Sequence, residues 1–195
     1  MKQIKFESYS EYKKAQISAN KRKLDRHAVL DGEIPFIKDN IAFMNINVKK
    51  ILCHGVRNGF EVKEFIKAYP KASVLGTDIS PTAKQFDRVI EWDFHNYKLA
   101  WVNEFDIIYS NALDHAHNPN ECLKNWIMCL SPNGVLVLNW SKFHDDKHVK
   151  GADCFGANFY EYIDMIKANG GTIEVTHEYE WINLIFCKRK IILDV

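Results

Sequence analysis

The 195-residue chain contains only five cysteines, and no two of them form a C-x-x-C pair. An odd number of cysteines at such spacings predicts neither a disulfide framework nor a zinc knuckle. No apolar run approaches the roughly 20 residues that a membrane-spanning helix needs, so we expect no membrane partner. The first residues also lack the apolar segment of a secretory signal. These absences predict a reduced, cytoplasmic protein.

A marked excess of charge is also missing. Lysine and arginine total 26 against 25 aspartate and glutamate residues, which gives a formal net charge of +1. A protein that neutralises many phosphates usually carries a larger basic excess, so we expect no nucleic-acid partner. Hydrophobic residues make up 47% and charged residues 26% of the chain, as in ordinary globular proteins. The length corresponds to a single domain, and the oligomeric state is left open.

From residue 48 onward, short apolar segments alternate with helical patterns. The predicted strands are residues 49–53, 72–77, 89–92, 105–109 and 135–140. The predicted helices are residues 61–68, 119–130 and 157–168, and a further helix is expected to start at Pro81. Strands that are apolar on both faces predict a parallel sheet with helices on both sides. Two final strands, 172–179 and 181–188, are too close for an intervening helix and predict an antiparallel hairpin.

The predicted fold is therefore α/β and Rossmann-like, with about seven mostly parallel strands and an antiparallel hairpin at the end. We expect one domain, in which residues 48–195 form the core and residues 1–47 a helical cap. Helices are predicted at 8–26 and 36–45. The first helix either closes over the site as a lid or packs on the edge of the sheet. Its candidate lid residues are Tyr9, Tyr12, Gln16, Asn20 and Lys21.

Candidate binding residues follow the predicted strands. Ligands of open parallel sheets bind at the carboxyl ends of the strands, near the reversal of strand order. The first strand is followed by Gly55–Gly59, where two glycines would let the backbone approach a ligand, although they could also form a simple turn. Asp78 ends the second strand, at about the 20-residue offset of an acid that binds ribose hydroxyls. Ser80 is better placed to cap the next helix, which leaves Asp78 free.

Asp93 and Phe94 close the third strand. A carboxylate followed by an aromatic ring can accept a hydrogen bond from an exocyclic amine while the ring packs on a base. Together, the three strand ends offer groups for a diol, a base and a backbone cradle. They predict a nucleoside-bearing cofactor.

The chain resembles class I S-adenosylmethionine-dependent methyltransferases over about residues 48–140. The motifs that carry the resemblance are Ile51–Gly59, Val74–Ser80, Trp92–Phe94, Phe105–Asn111 and Leu130–Val137. The resemblance implies S-adenosyl-L-methionine as cofactor, with the methionine portion at the glycine turn, the ribose on Asp78 and the adenine near Asp93. The implied cofactor-binding residues are Gly55, Val56, Arg57, Asn58, Gly59, Asp78, Ile79, Asp93, Phe94 and Asn111.

Two positions depart from the family pattern. Cys53 stands where the family often has an acidic residue, and Arg57 replaces the middle glycine of the turn. The missing acid removes a usual contact to the methionyl amine. Arg57 could instead pair with the methionyl carboxylate. The altered turn leaves open a module that binds the cofactor without turnover. A nicotinamide-dependent oxidoreductase is a third alternative, but Arg57 and Phe60 occupy two of the glycine positions that it needs.

The segment after the fourth strand carries several groups that can move protons. His115 is the candidate general base, and Asp114 could orient it or an acceptor hydroxyl; Asp114 could equally cap the next helix. Histidines at 115 and 117, and at 144 and 148, match no recognised ligand set, so we expect no metal. The polar, histidine-rich rim predicts a polar small-molecule substrate, such as a sugar or glycan precursor.

Overall fold

Nine strands and five α-helices make up residues 1–190, the part of the chain that this computed structural model describes. The strands are β1 (Lys2–Gln3), β2 (Lys50–His54), β3 (Ser73–Asp78), β4 (Val89–Glu91), β5 (Phe105–Ser110), β6 (Leu130–Ser141), β7 (Phe155–Gly156), β8 (Gly171–Tyr179) and β9 (Ile182–Arg189). The helices are α1 (Tyr9–Arg22), α2 (Glu33–Ala42), α3 (Phe60–Ala68), α4 (Pro119–Cys129) and α5 (Phe159–Ala168). Residues 191–195 of the predicted core lie outside the described part.

Seven of the strands form one sheet in the order β4-β3-β2-β5-β6-β9-β8. Neighbours among β2 to β6 pair in parallel, whereas β9 pairs antiparallel with both β6 and β8. The predicted Rossmann-like sheet and its terminal hairpin are confirmed. The chain moves outward from β2 to β4 and then returns to place β5 on the other side of β2. The strand order therefore reverses between β2 and β5, where ligands bind in such sheets.

The alternation of side chains in β2 divides the apolar core between the two faces of the sheet. Ile51 and Cys53 pack with Phe65 of α3 on one face, and Leu52 packs with Trp126 of α4 on the other. Because successive residues of a strand point to opposite faces, a strand buried on both sides has to be apolar throughout. This requirement explains the uninterrupted apolar run from which the strand was predicted.

Side-chain caps set the starts of α1, α4 and α5. The prediction that α2 spans 36–45 after Pro35 was wrong, because the chain turns at Gly32 (φ +79°) and the helix already begins at Glu33 and ends at Ala42. Asn118 caps α4 by accepting a hydrogen bond from the Glu121 backbone N–H at 3.2 Å, and Pro119 follows as the first helical residue. The helix expected at Pro81 is instead a short 3-10 turn, Pro81–Gln85, capped by Ser80 as predicted. The prediction of a full helix was wrong because β4 begins at Val89 and leaves too few residues for one.

Residues 1–47 occupy two different places. Ile34, Ile37 and Ile41 of α2 are buried in the core cluster on the α3 face of the sheet. This helix therefore belongs to a layer of the core. Helix α1 lies across the carboxyl ends of the strands, where Tyr12 is 1% exposed. The division of the chain into a cap and a core stays a prediction: α2 packs within the core, whereas α1 and the segment after it lie at the strand ends.

Candidate functional site

A crevice opens at the carboxyl ends of the strands around the reversal of strand order. It encloses about 690 Å³ including its open mouth, within the range of small-molecule sites. The residues that line it come from α1, the segment after it, and the turns that follow β2 to β5. They are Tyr12, Gln16, Ala19, Asn20, Lys23, Ala28, Gly55, Arg57, Asp78, Ile79, Asp93, Phe94, Asn111, Ala112 and His115.

The turn after β2 brings main chain to the wall of the crevice. Gly55 has a φ of +75°, and a Cβ atom added there would lie 2.5 Å from the Cβ of Ala112. Both facts require glycine, because other residues rarely adopt this conformation and no side chain fits the space. Arg57 also has a positive φ, 46°, at the position where the family has a glycine. The arginine therefore occupies a strained backbone conformation beside the site.

Asp78 is turned toward this turn and is 6% exposed. Its Oδ2 accepts a hydrogen bond from the Arg57 backbone N–H at 2.9 Å. Its Oδ1 accepts bonds at 2.8 Å from the Ser80 backbone N–H and from the side-chain amide of Asn20. A carboxylate offers about four acceptor directions, so one direction on Oδ2 remains for a ligand. Burial raises the pKa of Asp78, against the opposing effect of the backbone hydrogen bonds from Ser80 and Arg57.

Asp93 is held by two side chains. The Nε2 atom of His95 accepts hydrogen bonds from two backbone N–H groups, those of His117 at 3.0 Å and Asn118 at 3.2 Å. The ring proton is therefore on Nδ1, which donates to Asp93 Oδ1 at 2.8 Å. The Tyr9 hydroxyl of α1 donates to Oδ2 of the same carboxylate. Burial opposes ionisation of Asp93, but the hydrogen bonds from His95 and Tyr9 outweigh it and lower its pKa.

Helix α1 reaches the crevice with polar side chains on one face. Asn20 bonds to Asp78, and its amide oxygen accepts a hydrogen bond from the Thr82 hydroxyl at 2.9 Å. Gln16 donates to the backbone oxygen of Ala152 at 2.7 Å. Positions 12, 16 and 20 are spaced by one helical turn, so all three side chains face the strand ends. Three of the candidate lid residues therefore line the crevice, whereas Lys21 is exposed; their role as a lid stays a prediction.

His115 lies at the rim of the crevice, in a 3-10 turn after β5. Its Nδ1 is 2.9 Å from the backbone oxygen of Ala152, which can only accept. Nδ1 therefore carries a proton, and in the neutral ring Nε2 has a free lone pair. Asp114 is 8% exposed, and its buried Oδ1 has no hydrogen-bond partner among the described residues. The cap of α4 is Asn118, so Asp114 does not cap that helix.

The structure gathers most of the predicted site residues and leaves four outside the lining of the crevice. Val56 points away into the core, where it packs over Gly76 of β3. Asn58 donates hydrogen bonds to the backbone oxygens of Leu24 and Arg26, and so holds the segment after α1. The remaining two are Gly59, at the cap of α3, and Asp114, beneath the rim.

Sequence reasoning missed four lining residues. Three are alanines, Ala19, Ala28 and Ala112, which carry no chemical signal in a sequence. The fourth, Lys23, stood in a basic run that solvent exposure also explains.

Within residues 1–190, no helix combines the length and apolar character of a membrane span.

Comparison with known proteins supports the resemblance seen in the sequence. Residues 52–138 match a family model described as a methyltransferase domain. The predicted resemblance to class I S-adenosylmethionine-dependent methyltransferases is confirmed. The predicted enzyme class and the predicted cofactor, S-adenosylmethionine, are confirmed as well. No curated protein matches the sequence of this methyltransferase.

Solved structures similar to this methyltransferase share its fold at low sequence identity. The 1,6-didemethyltoxoflavin N1-methyltransferase of Burkholderia thailandensis has a TM-score of 0.69 at 12% identity, over 96% of this chain and 93% of that one. A sugar N-methyltransferase of Streptoalloteichus has a TM-score of 0.63 at 14% identity, over 82% of this chain and 87% of that one. A mitomycin 7-O-methyltransferase has a TM-score of 0.62 at 12% identity, over 81% of this chain. The methyltransferase described here spans only 55% of that last protein.

Proposed function

We propose that this methyltransferase transfers a methyl group to a polar small molecule of the sugar or glycan-precursor type, and that its cofactor lies in the crevice around Asp78. The observation that carries the proposal is the orientation of Asp78. Its carboxylate faces the Gly55–Gly59 turn, is fixed by the Arg57 backbone N–H at 2.9 Å, and keeps an acceptor direction free. A buried carboxylate with unused acceptor capacity beside a glycine turn suits the hydroxyl groups of a ribose.

Asn20 makes the ribose site conditional on the position of α1. It occupies one acceptor direction of Asp78 Oδ1, and the Ser80 backbone N–H occupies the other. A first ribose hydroxyl can bond to Oδ2 directly. A second hydroxyl would need the direction held by Asn20, so binding of both requires the Asn20 side chain to move or to bond to the ribose itself. We therefore assign α1 the role of a lid.

The adenine and methionine portions are assigned to the flanking strand ends. Asp93 Oδ2 has one direction free beyond its bond from Tyr9 and could accept from the adenine amino group, with Phe94 and Ile79 beside the base. Toward the methionine portion the crevice offers Gly55, Asn111 and Arg57. One Arg57 nitrogen donates to the Arg26 backbone oxygen at 3.1 Å. The guanidinium group has five donors, so others remain for a carboxylate.

His115 is the group placed to act on the acceptor. S-adenosylmethionine, when bound, supplies a methyl group on a positively charged sulfur. The Nε2 lone pair of His115 could take the proton that the acceptor loses, while the Nδ1–H bond to Ala152 holds the ring in place. The histidine-rich rim supports a polar acceptor, as does the fold shared with a sugar N-methyltransferase. The net charge of +1 argues against nucleic acid as the acceptor.

Two measurements test the proposal in order. Calorimetric titration with S-adenosylhomocysteine and with NAD comes first, and we expect saturable binding of the former alone. Transfer of labelled methyl from S-adenosylmethionine is then measured with a panel of sugar nucleotides, amino sugars and, for contrast, short RNA and peptides. Methylation within the sugar group supports the proposal. Binding without transfer to any sugar acceptor, or transfer only to RNA or peptide, would contradict it.

A further inference from the structure

A cluster of two carboxylates and one imidazole lies under the rim of the crevice. Asp114 and His115 come from the turn after β5, and Asp153 comes from the insertion between β6 and α5. One possible ligand atom from each residue lies within 4.8 Å of the other two. Two ligands of one ion bound at about 2.1 Å lie at most about 4.2 Å apart, so small rotations of these side chains would complete such a site.

The protonation of His115 leaves a ligand atom available. In the neutral ring, Nδ1 donates to Ala152, so the Nε2 lone pair is free, and this atom is 4.0 Å from Asp114 Oδ2. Asp153 Oδ1 lies 3.6 Å from Nδ1 instead, so the partly exposed Asp153 side chain has to rotate toward Nε2 to share an ion. A histidine that binds a metal commonly donates its other ring N–H to a backbone carbonyl in this way. His144 differs, because its Nδ1 accepts a bond from the Ser141 backbone N–H at 2.8 Å. Its Nε2 therefore carries the proton and faces Asp114 Oδ1 at 3.9 Å as a donor.

The charge of the cluster is not balanced by the protein. Asp114 is 8% exposed, and in the part of the chain that the structure describes its buried Oδ1 lacks a hydrogen-bond partner. Within residues 1–190, neither this carboxylate nor that of Asp153 has a lysine or arginine nitrogen within 4.0 Å; the basic groups at that distance are the imidazoles of His115 and His144. A buried carboxylate without a partner is costly, and a bound cation is one of the few groups that would compensate it.

We propose that Asp114, His115 and Asp153 bind one divalent cation. Two carboxylates favour Mg²⁺ or Mn²⁺, and the imidazole favours a transition metal, so Mn²⁺ fits the mixed set best. Three protein ligands leave coordination positions open for water or for oxygen atoms of an acceptor. This site was not foreseen because Asp153 lies far along the chain from the histidine pair considered in the sequence.

The cation site can exist whatever the acceptor is, and only its use in methyl transfer rests on the proposed function. An acceptor hydroxyl bound to the cation would have a lowered pKa. The Nε2 lone pair of His115 would then serve as a ligand, so the metal-bound protein would not use it as a base.

Titration of chelator-stripped protein with MnCl₂ tests the inference, with free Mn²⁺ measured by electron paramagnetic resonance. We expect one Mn²⁺ bound per chain. Asp114→Asn and Asp153→Asn should each weaken binding at least roughly tenfold. Asp164→Asn, an exposed carboxylate of α5, is the matched control and should bind like the wild type. Circular dichroism establishes that each variant is folded.

The inference is overturned if the wild type binds no Mn²⁺ saturably, or if both variants bind as it does. Asp153 is partly exposed, so Asp153→Asn remains informative if Asp114→Asn does not fold. Binding of S-adenosylhomocysteine is measured on the same samples. Cofactor binding without Mn²⁺ binding rejects the cation site alone, whereas Mn²⁺ binding without cofactor binding rejects the proposed cofactor crevice alone.

Discussion

Replacement of Asp78 by asparagine tests the assignment of the cofactor crevice most directly. The amide oxygen of an asparagine would satisfy the two donors now on Oδ1, those of Ser80 and Asn20. Its NH₂ group would then replace Oδ2 and stand beside the Arg57 backbone N–H, now at 2.9 Å. The free acceptor direction toward the crevice would become a donor, and the negative charge would be lost.

The expected size of the effect follows from the bonds that change. A hydrogen bond to a charged group contributes about 1.5–3 kcal/mol and one between neutral groups about 0.5–1.5 kcal/mol. Exchanging the charged carboxylate for a neutral amide therefore weakens binding by about 1.5 kcal/mol for each ribose hydroxyl bound, which raises Kd roughly tenfold. If one ribose hydroxyl bonds to Oδ2, we expect roughly a tenfold loss of affinity. If a second hydroxyl also bonds to the carboxylate after Asn20 is displaced, we expect roughly a hundredfold loss.

Calorimetric titration with S-adenosylhomocysteine measures the loss of affinity, and thermal unfolding reports the stability of the variant. The new side-chain NH₂ group would face the Arg57 backbone N–H without an acceptor between them. This should lower the free energy of unfolding by about 1–2 kcal/mol without unfolding the protein at room temperature. Asp87→Asn, which removes a charge from a side chain that is 89% exposed, is the control and should leave Kd unchanged. A folded Asp78→Asn protein whose Kd stays within about twofold of the wild type would refute the ribose assignment.

Three further predictions follow. Gly55→Ala should destabilise the protein by at least about 2 kcal/mol in chemical denaturation, because the new Cβ would lie 2.5 Å from that of Ala112 at a positive φ; an unchanged midpoint would contradict this packing. Tyr9→Phe removes a donor to Asp93, so amide hydrogen exchange of α1 should accelerate about fivefold while β2 and β5 stay unchanged. Burial raises the pKa of Glu61 from 4.5 to about 7, so its contribution to stability is largest below pH 4.5 and is lost as the pH rises through 7. Glu61→Gln should therefore gain up to about 3 kcal/mol relative to the wild type at pH 8, and equal pH profiles of thermal unfolding would reject this reasoning.

Glu61 is suited to that measurement because the groups around it are defined. The polar and titratable groups that influence its pKa or are influenced by it belong to Arg57, Glu33, Asn111, Tyr109 and Cys53. Burial also raises the pKa of Glu33, so a residual slope in the Glu61→Gln profile is expected from that second acid.

The fold was predictable from the sequence because its signals are local. Strands buried on both faces must be apolar, and the turns between them are marked by Gly55, Pro119 and similar residues. The length of the segment after Pro81 was misjudged, since helix-start chemistry is the same for a 3-10 turn and a full helix. Which side of a turn faces a ligand was also beyond sequence reasoning, as Val56 shows by pointing into the core.

The site was predictable where one residue type at a fixed offset carries the chemistry, as with Asp78. It was not predictable where distant segments meet. Nothing in the sequence connects Asp153 to His115, or Tyr9 to Asp93, because those contacts depend on how the insertion and α1 pack across the strand ends. The alanines of the crevice wall lack a signal of their own, since their contribution is the absence of a larger side chain.

The position of α1 has a kinetic consequence. One helix of 14 residues touches Asp93 through Tyr9, the backbone of His115 through Tyr12 and Asp78 through Asn20. A helix of that length is about 21 Å long and fairly rigid, so it cannot move far from one of these contacts without straining the others. If α1 opens as the proposed lid, we expect S-adenosylhomocysteine and the methylated product to leave during the same opening, and the rate of that opening to limit turnover.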